Sequence, residues 1–394
     1  MSRILLSTGK YVQGAGALKE IGLHAAGLGS KALAIGGTTA LALTTAIIRE
    51  SLENQKISYT EEIFNGVSSH KEIQRLEQSA RRLNADLIIA VGGGAAIDAG
   101  KAVSHALNVP VIVVPTTAAT DGPCSALCVI YDEQNVFQRY LRLRRNPDCV
   151  LMDTQIIANA PVRFLIAGMG DAVASYWESR SSLRSGNINA FNGGSAPTLT
   201  VRSLAELCYT TLLEYGTLAV MAVDKKIVNP ALEAVVEANT LISGLCSENG
   251  GHAAAHSIHN GLTALDKTKS KLHGEKVAFG LLAQIILEGH PRKTFQEVQA
   301  FCYRVGLPVC LADLDLADAT RDEVASVARR SVIEGETIHT AGARVTADQV
   351  AAAIWTADEL GKQYKRAQQI KQLYDHQQLG SRQPDTPTKR ATCG

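Results

Sequence analysis

The chain has 394 residues and a net charge of +1 at pH 7, from 39 basic and 38 acidic side chains. This balance gives no electrostatic reason to expect nucleic acid or an anionic membrane as a partner. Hydrophobic residues make up 46% of the chain and charged residues 20%, as in globular proteins with a large core. In the most basic run, Arg139–Arg145, arginines alternate with apolar residues, which favours a strand with a solvated face over a phosphate site.

The sequence predicts neither a membrane span nor secretion. No apolar stretch reaches the roughly 18 residues that a spanning helix needs. The first residues, MSRILLSTGK, contain no long apolar region followed by a cleavage site. The eight cysteines are scattered, and no second pair joins Cys124 and Cys128 to complete a zinc-ribbon spacing. We therefore expect a cytoplasmic protein with buried, reduced thiols.

The first 160 residues alternate short apolar runs with amphipathic segments. Continuous Val/Ile/Ala strands separated by helices are typical of a parallel sheet that is covered on both faces. The predicted strands are Lys31–Gly36, Ala85–Val91, Val109–Pro115 and Cys149–Met152, and the predicted helices are Thr39–Gln55 and Ser69–Asn84. Two β-rich runs then flank residues 132–135, Asp-Glu-Gln-Asn, which predict a hairpin turn.

The second half of the sequence is predicted to be helical. Apolar residues repeat at three and four positions in Leu199–Tyr215, Pro230–Leu245 and Ala347–Tyr374. Residues 376–394 are rich in Gln, Arg, Pro and Thr and have little to bury, so we expect a disordered tail. The predicted organisation is an α/β domain over residues 1–160, an all-helical domain over 161–375 and the tail.

A triple-glycine turn follows the second of these buried strands, and Gly92, Gly93 and Gly94 lead from it into a helix. Glycines let a backbone approach a ligand closely, and a helix N-terminus suits a pyrophosphate. Asp98 falls near the first helical turn, where it could accept from a ribose hydroxyl or a nicotinamide amide. The alternative is a tight packing turn, because the spacing differs from the usual dinucleotide pattern.

A second loop, Pro115–Pro123, follows the next strand. It is dense in hydroxyl groups, including that of Thr116, and carries the Asp121 carboxylate before a Gly-Pro turn. Loops at the carboxyl ends of parallel strands face the same crevice. The glycine turn and this loop together therefore favour a nucleotide site.

Candidate metal ligands lie in the helical half. Asp171 follows the glycine pair Gly168 and Gly170 and precedes a predicted helix over Ala172–Arg180. His252, His256 and His259 stand at i, i+4 and i+7, which is one helical face, and His273 opens another helix. A carboxylate with two imidazoles is a common catalytic metal set. Ordinary core or surface histidines, or a His252–His256 pair, remain alternatives.

Long strings of the sequence resemble the glycerol dehydrogenase family, within the iron-type group III alcohol dehydrogenases. The resemblance covers about residues 1–370. The matching strings include residues 9–14 (GKYVQG), the glycine turn with Asp98, and residues 120–127 (TDGPCSAL), 167–172 (AGMGDA), 255–261 (AHSIHNG), 273–280 (HGEKVAFG) and 334–339 (EGETIH).

This resemblance implies an α/β dinucleotide-binding domain followed by an all-α domain, the fold shared with dehydroquinate synthase, and a site in the cleft between them. It implies one divalent metal, zinc or iron, on Asp171, His256 and His273, with His256 and Asp121 in the catalytic site. Asp121 would hold a substrate hydroxyl. NAD would be contacted by Gly92, Gly93, Gly94, Asp98, Thr116, Ser125, Leu127 and Tyr131. The expected substrate is a small vicinal diol, and the expected assembly is a homo-oligomer, an octamer by resemblance.

The sequence departs from the family pattern at several positions. Gly37 replaces an acidic residue that would bind the adenine ribose and repel a 2′-phosphate, and Ala95 replaces a lysine. Ser247 stands where a pocket-facing Phe is expected, and His252 replaces an apolar residue. We expect NAD to stay preferred with weaker discrimination, and the pocket to be roomier and more polar.

Two other functions fit the sequence less well. A lyase resembling dehydroquinate synthase would need several Lys or Arg residues in the cleft, and the loops are poor in them. A binding protein that lost catalysis would not need the Asp171, His256 and His273 set. A dehydrogenase acting on a larger polyol or an amino alcohol is the nearest alternative within the family.

Overall fold

The computed structural model describes residues 2–134, 136–185, 189, 194–341 and 344–380. The strands are β1 Tyr11–Gly14, β2 Lys31–Gly36, β3 Ser58–Ile63, β4 Leu87–Gly92, β5 Val111–Pro115, β6 Leu127–Tyr131, β7 Phe137–Arg142 and β8 Cys149–Asp153. Six of them form a parallel sheet in the first part of the chain, in the order β1-β8-β5-β4-β2-β3. A separate antiparallel hairpin is formed by β6 and β7.

Helices connect the strands and then predominate in the rest of the described chain. Those in the sheet region are α1 Ile21–Ala25, α2 Thr38–Glu53, α3 His70–Arg82, α4 Gly94–Leu107 and α5 Thr154–Asn159. The later ones are α6 Val162–Ser185, α7 Leu199–Asp224, α8 Pro230–Glu237, α9 Ser243–Gly250, α10 Ala254–Leu262, α11 His273–Leu287, α12 Arg292–Val305, α13 Arg321–Ser331 and α14 Ala347–Gly380. The predicted combination of an α/β part with a helical part is confirmed.

The sheet is covered on both faces, as its continuous apolar strands predict. On one face, Ile89 and Val114 pack with Ile48 of α2 in a cluster of their own. On the other face, Ile88 and Val113 pack against α3 and α4, and this core continues into the later helices. The second core therefore joins the carboxyl-terminal helices to the sheet.

The strands β1 and β3 are absent from the sequence-based prediction. β3 lies at one edge of the sheet, and its residues SYTEEI are mostly polar and at least partly exposed, so they lack the apolar signal of a central strand. The short strand β1 lies at the opposite edge and is only half-buried. Edge strands bury one side at most, which explains why apolar runs alone located only central strands and their neighbours.

Several smaller predictions can be compared with the structure. The hairpin turn is confirmed by Asp132, whose N–H donates to the carbonyl of Val136 at 2.9 Å, although Asn135 lies outside the described residues. The arginines of β7 are exposed as expected. α14 continues to Gly380, so the segment predicted as a tail begins in a helix, and its remainder lies outside the described residues. Seven cysteines are free and buried, and Cys393 is not described.

Among the described helices, none has the length and apolarity needed to cross a membrane.

Candidate active site

Three side chains from three helices converge at one point. The Nε2 atoms of His256 and His273 lie 3.3 and 3.2 Å from Oδ1 of Asp171. One ligand atom from each residue falls within 4.8 Å of the others, which is the spacing of a metal-binding group. A carboxylate and two imidazoles suit zinc or iron and leave coordination positions for a substrate. The donor set therefore fits the divalent metal that the sequence resemblance implies.

The meeting of Asp171 and His273 depends on close packing between α6 and α11. A Cβ atom on Gly170 would lie 2.3 Å from the carbonyl oxygen of Gly274, and one on Gly274 would lie 1.7 Å from that of Ala167. Both residues are therefore required to be glycine so that α6 and α11 can pack closely. The prediction that Gly168 and Gly170 precede a helix starting at Ala172 is wrong, because both lie inside α6.

Electrostatics favour an ionised carboxylate at the centre of this group. Burial alone would raise the pKa of Asp171, but the His273 and His256 rings beside it more than compensate. The pKa of Asp171 is thereby held well below its ordinary value. A carboxylate that is ionised although it is buried is the form that binds a metal.

Glu178 orients His256 from the side opposite Asp171. Its Oε2 atom lies 2.6 Å from Nδ1 of His256, and its Oε1 atom accepts the backbone N–H groups of Ala253 and His256. With its Nδ1 proton held by Glu178, His256 would offer the lone pair of Nε2 to a metal bound beside Asp171. A carboxylate behind a ligating histidine is the usual support of a metal site.

His252 does not share a helix with His256, which corrects the predicted i, i+4, i+7 face. α10 begins at Ala254, because Gly251 has a φ of +82° and Ala253 is non-helical. The His252 ring nevertheless stacks on that of His256, with centroids 3.6 Å apart. Burial and the neighbouring His256 lower the pKa of His252 to about 3. Glu178, His252 and His256 form a second group of possible metal donors, so the alternative pair stays open to experiment.

The Asp121 carboxylate stands beside the metal group. Its backbone N–H donates to Oδ2 of Asp171 at 3.4 Å, while its own Oδ2 accepts the hydroxyls of Ser247 and Ser243 at 2.5 and 2.9 Å. The Ser175 hydroxyl lies 3.1 Å from that of Ser247 and 2.9 Å from that of Ser243. Burial and the Asp171 charge raise the pKa of Asp121 to about 6. The loop thus brings a second buried carboxylate next to the candidate metal ligands.

The glycine turn forms an open cradle at the carboxyl end of β4. Gly92 has a φ of +134°, which disfavours residues with a Cβ, and Gly93 is the exposed N-cap of α4. The N–H of Thr116 donates to the Gly92 carbonyl at 3.0 Å, and Gly94 faces Thr120. The two predicted loops are therefore adjacent, and a bare helix N-terminus suits a dinucleotide phosphate.

Asp98 and Lys101 form hydrogen bonds with residues 122–129, the segment that contains the predicted cofactor contacts Ser125 and Leu127. Oδ2 of Asp98 accepts the N–H of Val129 at 3.0 Å, and Lys101 lies 3.3 Å from Oδ1. The fully buried Lys101 ammonium donates to the carbonyls of Leu127, Gly122 and Ser125 at 2.6, 2.8 and 3.3 Å. Tyr131 ends the same strand, β6. In this structure the partners of Asp98 are therefore protein groups, Val129 and Lys101. A contact between Asp98 and a cofactor is a proposal.

Gly37 caps α2 at the carboxyl end of β2, beside the glycine turn. It has an extended backbone, with φ −67° and ψ 155°. Apart from its own chain neighbours, no heavy atom of the described residues lies within 4 Å of the position that a Cβ would take. The space for the missing acidic side chain is therefore present.

Sequence reasoning missed Glu178, Lys101 and Ser243. Lys101 had a usable signal, since it stands three residues after Asp98 on the helix behind the glycine turn. Glu178 and Ser243 had none, because each meets its partner only through the packing of separate helices.

Comparison with known proteins agrees with this geometry. The family model for iron-containing alcohol dehydrogenases matches residues 8–154. Glycerol dehydrogenase from Pseudomonas putida is 45% identical over 364 residues, covering 92% of this chain and 99% of its own. Glycolaldehyde reductase from Halobacterium salinarum is 40% identical, covering 93% of this chain and 100% of its own. The crystal structure of glycerol dehydrogenase from Schizosaccharomyces pombe superposes with a TM-score of 0.90 at 35% identity, covering 93% of each chain.

The parallel sheet and the helical half have the fold of glycerol dehydrogenase, and the relatives identify the chain as an alcohol dehydrogenase. The chain belongs to the iron-containing alcohol dehydrogenase family, and within it is similar to the glycerol dehydrogenases. The family predicted from the sequence motifs is confirmed.

Proposed function

We propose that this protein oxidises a small vicinal diol, of the glycerol or 1,2-propanediol type, with NAD as hydride acceptor and one divalent metal at Asp171, His256 and His273. The observation that carries the proposal is the position of Asp121. Its N–H contacts the Asp171 carboxylate, so a hydroxyl acceptor stands immediately beside the metal ligands. A metal site next to such an acceptor matches two oxygens on adjacent carbons.

Different residues of the site have different roles in the proposed reaction. A divalent cation bound there would lower the pKa of one substrate hydroxyl as a Lewis acid, and a bound nicotinamide would accept the hydride. Asp121, with a pKa of about 6, is mostly ionised at neutral pH and accepts the hydrogen of the neighbouring hydroxyl. Ser243 and Ser247 hold its carboxylate in one orientation. Holding the substrate in the reactive orientation raises the rate, because less entropy is lost on reaching the transition state.

NAD is proposed to bind along the glycine turn and the loops that follow. Gly92, Gly93 and Gly94 would hold the pyrophosphate at the N-terminus of α4. Asp98, Thr116, Ser125, Leu127 and Tyr131 would contact the rest of the cofactor. This assignment is supported by the adjacency of the two loops and by the Lys101 contacts that fix the second one.

The finer points of the proposal follow the sequence resemblance. We assign zinc as the metal, with iron as the alternative, a cytoplasmic location, and a homo-oligomeric state, an octamer by resemblance. Residues 1–160 and 161–375 are proposed as the dinucleotide and metal domains.

A larger polyol or an amino alcohol is the second candidate substrate. It is favoured by Ser247, which places a hydroxyl beside Asp121 where an aromatic side chain is expected. A lyase reaction on a phosphorylated sugar acid is disfavoured, because Lys101, the lysine behind the glycine turn, is buried and donates to backbone carbonyls.

The test is a panel of small diols, longer polyols, amino alcohols and simple monoalcohols, assayed with both dinucleotides on protein whose metal content is measured in the same sample. We expect dinucleotide reduction with 1,2-diols and about one metal per chain. Reduction with monoalcohols alone, or with none of these substrates, would contradict the proposal.

A further inference from the structure

A chain of hydrogen bonds runs from His273 to the segment between α13 and α14. Nδ1 of His273 lies 3.0 Å from Nε2 of His259. Nδ1 of His259 in turn lies 3.0 Å from Oδ1 of Asn260. The Asn260 amide nitrogen donates to the two carboxylate oxygens of Glu336 at 3.0 and 3.3 Å. The network therefore begins at a predicted metal ligand and ends at a carboxylate.

The direction of every hydrogen bond in this chain follows from Glu336. An ionised carboxylate only accepts hydrogen bonds, so it holds the amide nitrogen of Asn260 and turns Oδ1 toward His259. That oxygen also only accepts, so Nδ1 of His259 carries the proton and Nε2 of His259 becomes an acceptor. His273 must then donate from Nδ1, so its Nε2 is the nitrogen that would offer a lone pair to a bound metal. This is the tautomer that binds a metal through Nε2.

The segment that carries Glu336 is itself fixed to the start of α10. Thr337 donates its hydroxyl to the carbonyl of Ala253 at 2.8 Å, and the N–H of Ile338 donates to the Ser257 hydroxyl at 2.8 Å. Because α10 also carries His256, Glu336 is anchored to the helix of a second ligand. Residues 334–339, which the metal ligands alone leave without a role, are thus linked to His273 through Asn260 and His259.

We propose that Glu336, Asn260 and His259 are positioning residues that hold His273 in its metal-binding tautomer and orientation. The inference rests on the proposed metal centre. It gives His273 the same support that Glu178 gives His256 directly, since partners behind a ligating histidine fix its tautomer. His259 contributes no ligand atom to either group of possible donors.

The test measures the zinc dissociation constant by competition with a chromophoric chelator, together with the thermal midpoint of the metal-free protein. His259→Phe removes the acceptor for Nδ1 of His273, and it should weaken zinc binding about 10- to 100-fold, as for other such partners. Glu336→Ala should weaken binding at least about threefold, whereas Glu336→Gln keeps an oxygen acceptor and should stay within about twofold of wild type. A purely structural role would shift the metal-free midpoint instead.

The matched control is His290→Gln. His290 is also a half-buried histidine paired with a carboxylate, at 2.9 Å from Glu288, and in the described structure it shares no hydrogen bond with the three ligands. This variant should bind zinc as wild type does.

The outcomes separate the inference from the proposed function. A wild-type protein that binds no metal would overturn the metal centre and the inference together. A wild type that binds zinc, with His259→Phe within twofold of it, would overturn the inference alone. If His259→Phe fails to fold, the Glu336 pair decides: Ala and Gln variants with equal affinities would also overturn it.

Discussion

The hydroxyl of Ser247 lies 2.5 Å from Oδ2 of Asp121, so the residue that replaces the expected aromatic is a hydrogen-bond donor to the proposed substrate-binding carboxylate. Ser247→Ala removes this donor without filling the pocket. A hydrogen bond to a charged group contributes about 1.5–3 kcal/mol, so we expect kcat/KM for diols to fall roughly tenfold or more. Steady-state kinetics with 1,2-propanediol measure this. An unchanged kcat/KM would show that Asp121 does not depend on Ser247.

Ser247→Phe tests whether this position selects the substrate. Wild type is expected to act modestly on glycerol and 1,2-propanediol, because the polar cluster around Ser247 suits more oxygenated substrates. The Phe side chain adds apolar contact, and it should move the preference toward those small diols. The measurement is the ranking of kcat/KM over the diol and polyol panel. If wild type is already best with glycerol and the variant keeps the same ranking, the idea of a polar, roomier pocket fails.

Replacing each metal ligand in turn distinguishes the two groups of possible donors. Asp171 and His273 belong only to the group that they form with His256, whereas His252 belongs only to the group with Glu178 and His256. Each of the three is replaced by Ala. We expect the first two variants to lose bound metal and turnover while circular dichroism shows an intact fold, and the His252 variant to retain the metal. Metal analysis after dialysis decides this. Loss of metal in His252→Ala together with retention in His273→Ala would reverse the assignment.

Gly37→Asp should sharpen cofactor choice. The extended backbone and free space at this position accept the side chain, and a carboxylate there would bind the ribose hydroxyls and repel a 2′-phosphate. Wild type should prefer NAD only weakly, and the variant should raise the NAD to NADP ratio of kcat/KM about tenfold, or about 1.4 kcal/mol. A wild type that prefers NADP more than tenfold would contradict this account of Gly37.

Lys101→Met tests whether the contacts of Lys101 stabilise residues 122–127, the loop proposed to contact NAD. It removes the donor to three loop carbonyls and leaves Asp98 without its cation, and breaking a buried pair costs about 3–5 kcal/mol. We expect a lower unfolding midpoint and a weaker dissociation constant for NAD. Lys269→Met is the control, because it breaks an exposed pair with the same i, i+3 spacing and should change neither quantity. If Lys101→Met binds NAD as tightly as wild type, the loop that Lys101 contacts does not contribute to NAD binding.

The central strands, the two loops and the candidate metal ligands were predictable from the sequence because each has a local signal. Apolar runs mark β4 and β5, and the glycines mark the turn that follows β4. The contact between Asp121 and Ser247 was not predictable, since the residues are 126 positions apart and meet only when α9 packs on the loop. The role of Gly170 was misread for the same reason, because its neighbour Gly274 lies in another helix.

The most direct test of the central claim is the rate of NAD reduction by 1,2-propanediol before and after metal removal. Protein is stripped with a chelator, assayed, and assayed again after one equivalent of zinc or iron is restored. The account predicts loss of the rate on stripping and recovery on adding back one of the two metals, with Asp171→Ala inactive throughout. A stripped protein that reduces NAD at the full rate would contradict a metal-dependent oxidation of diols.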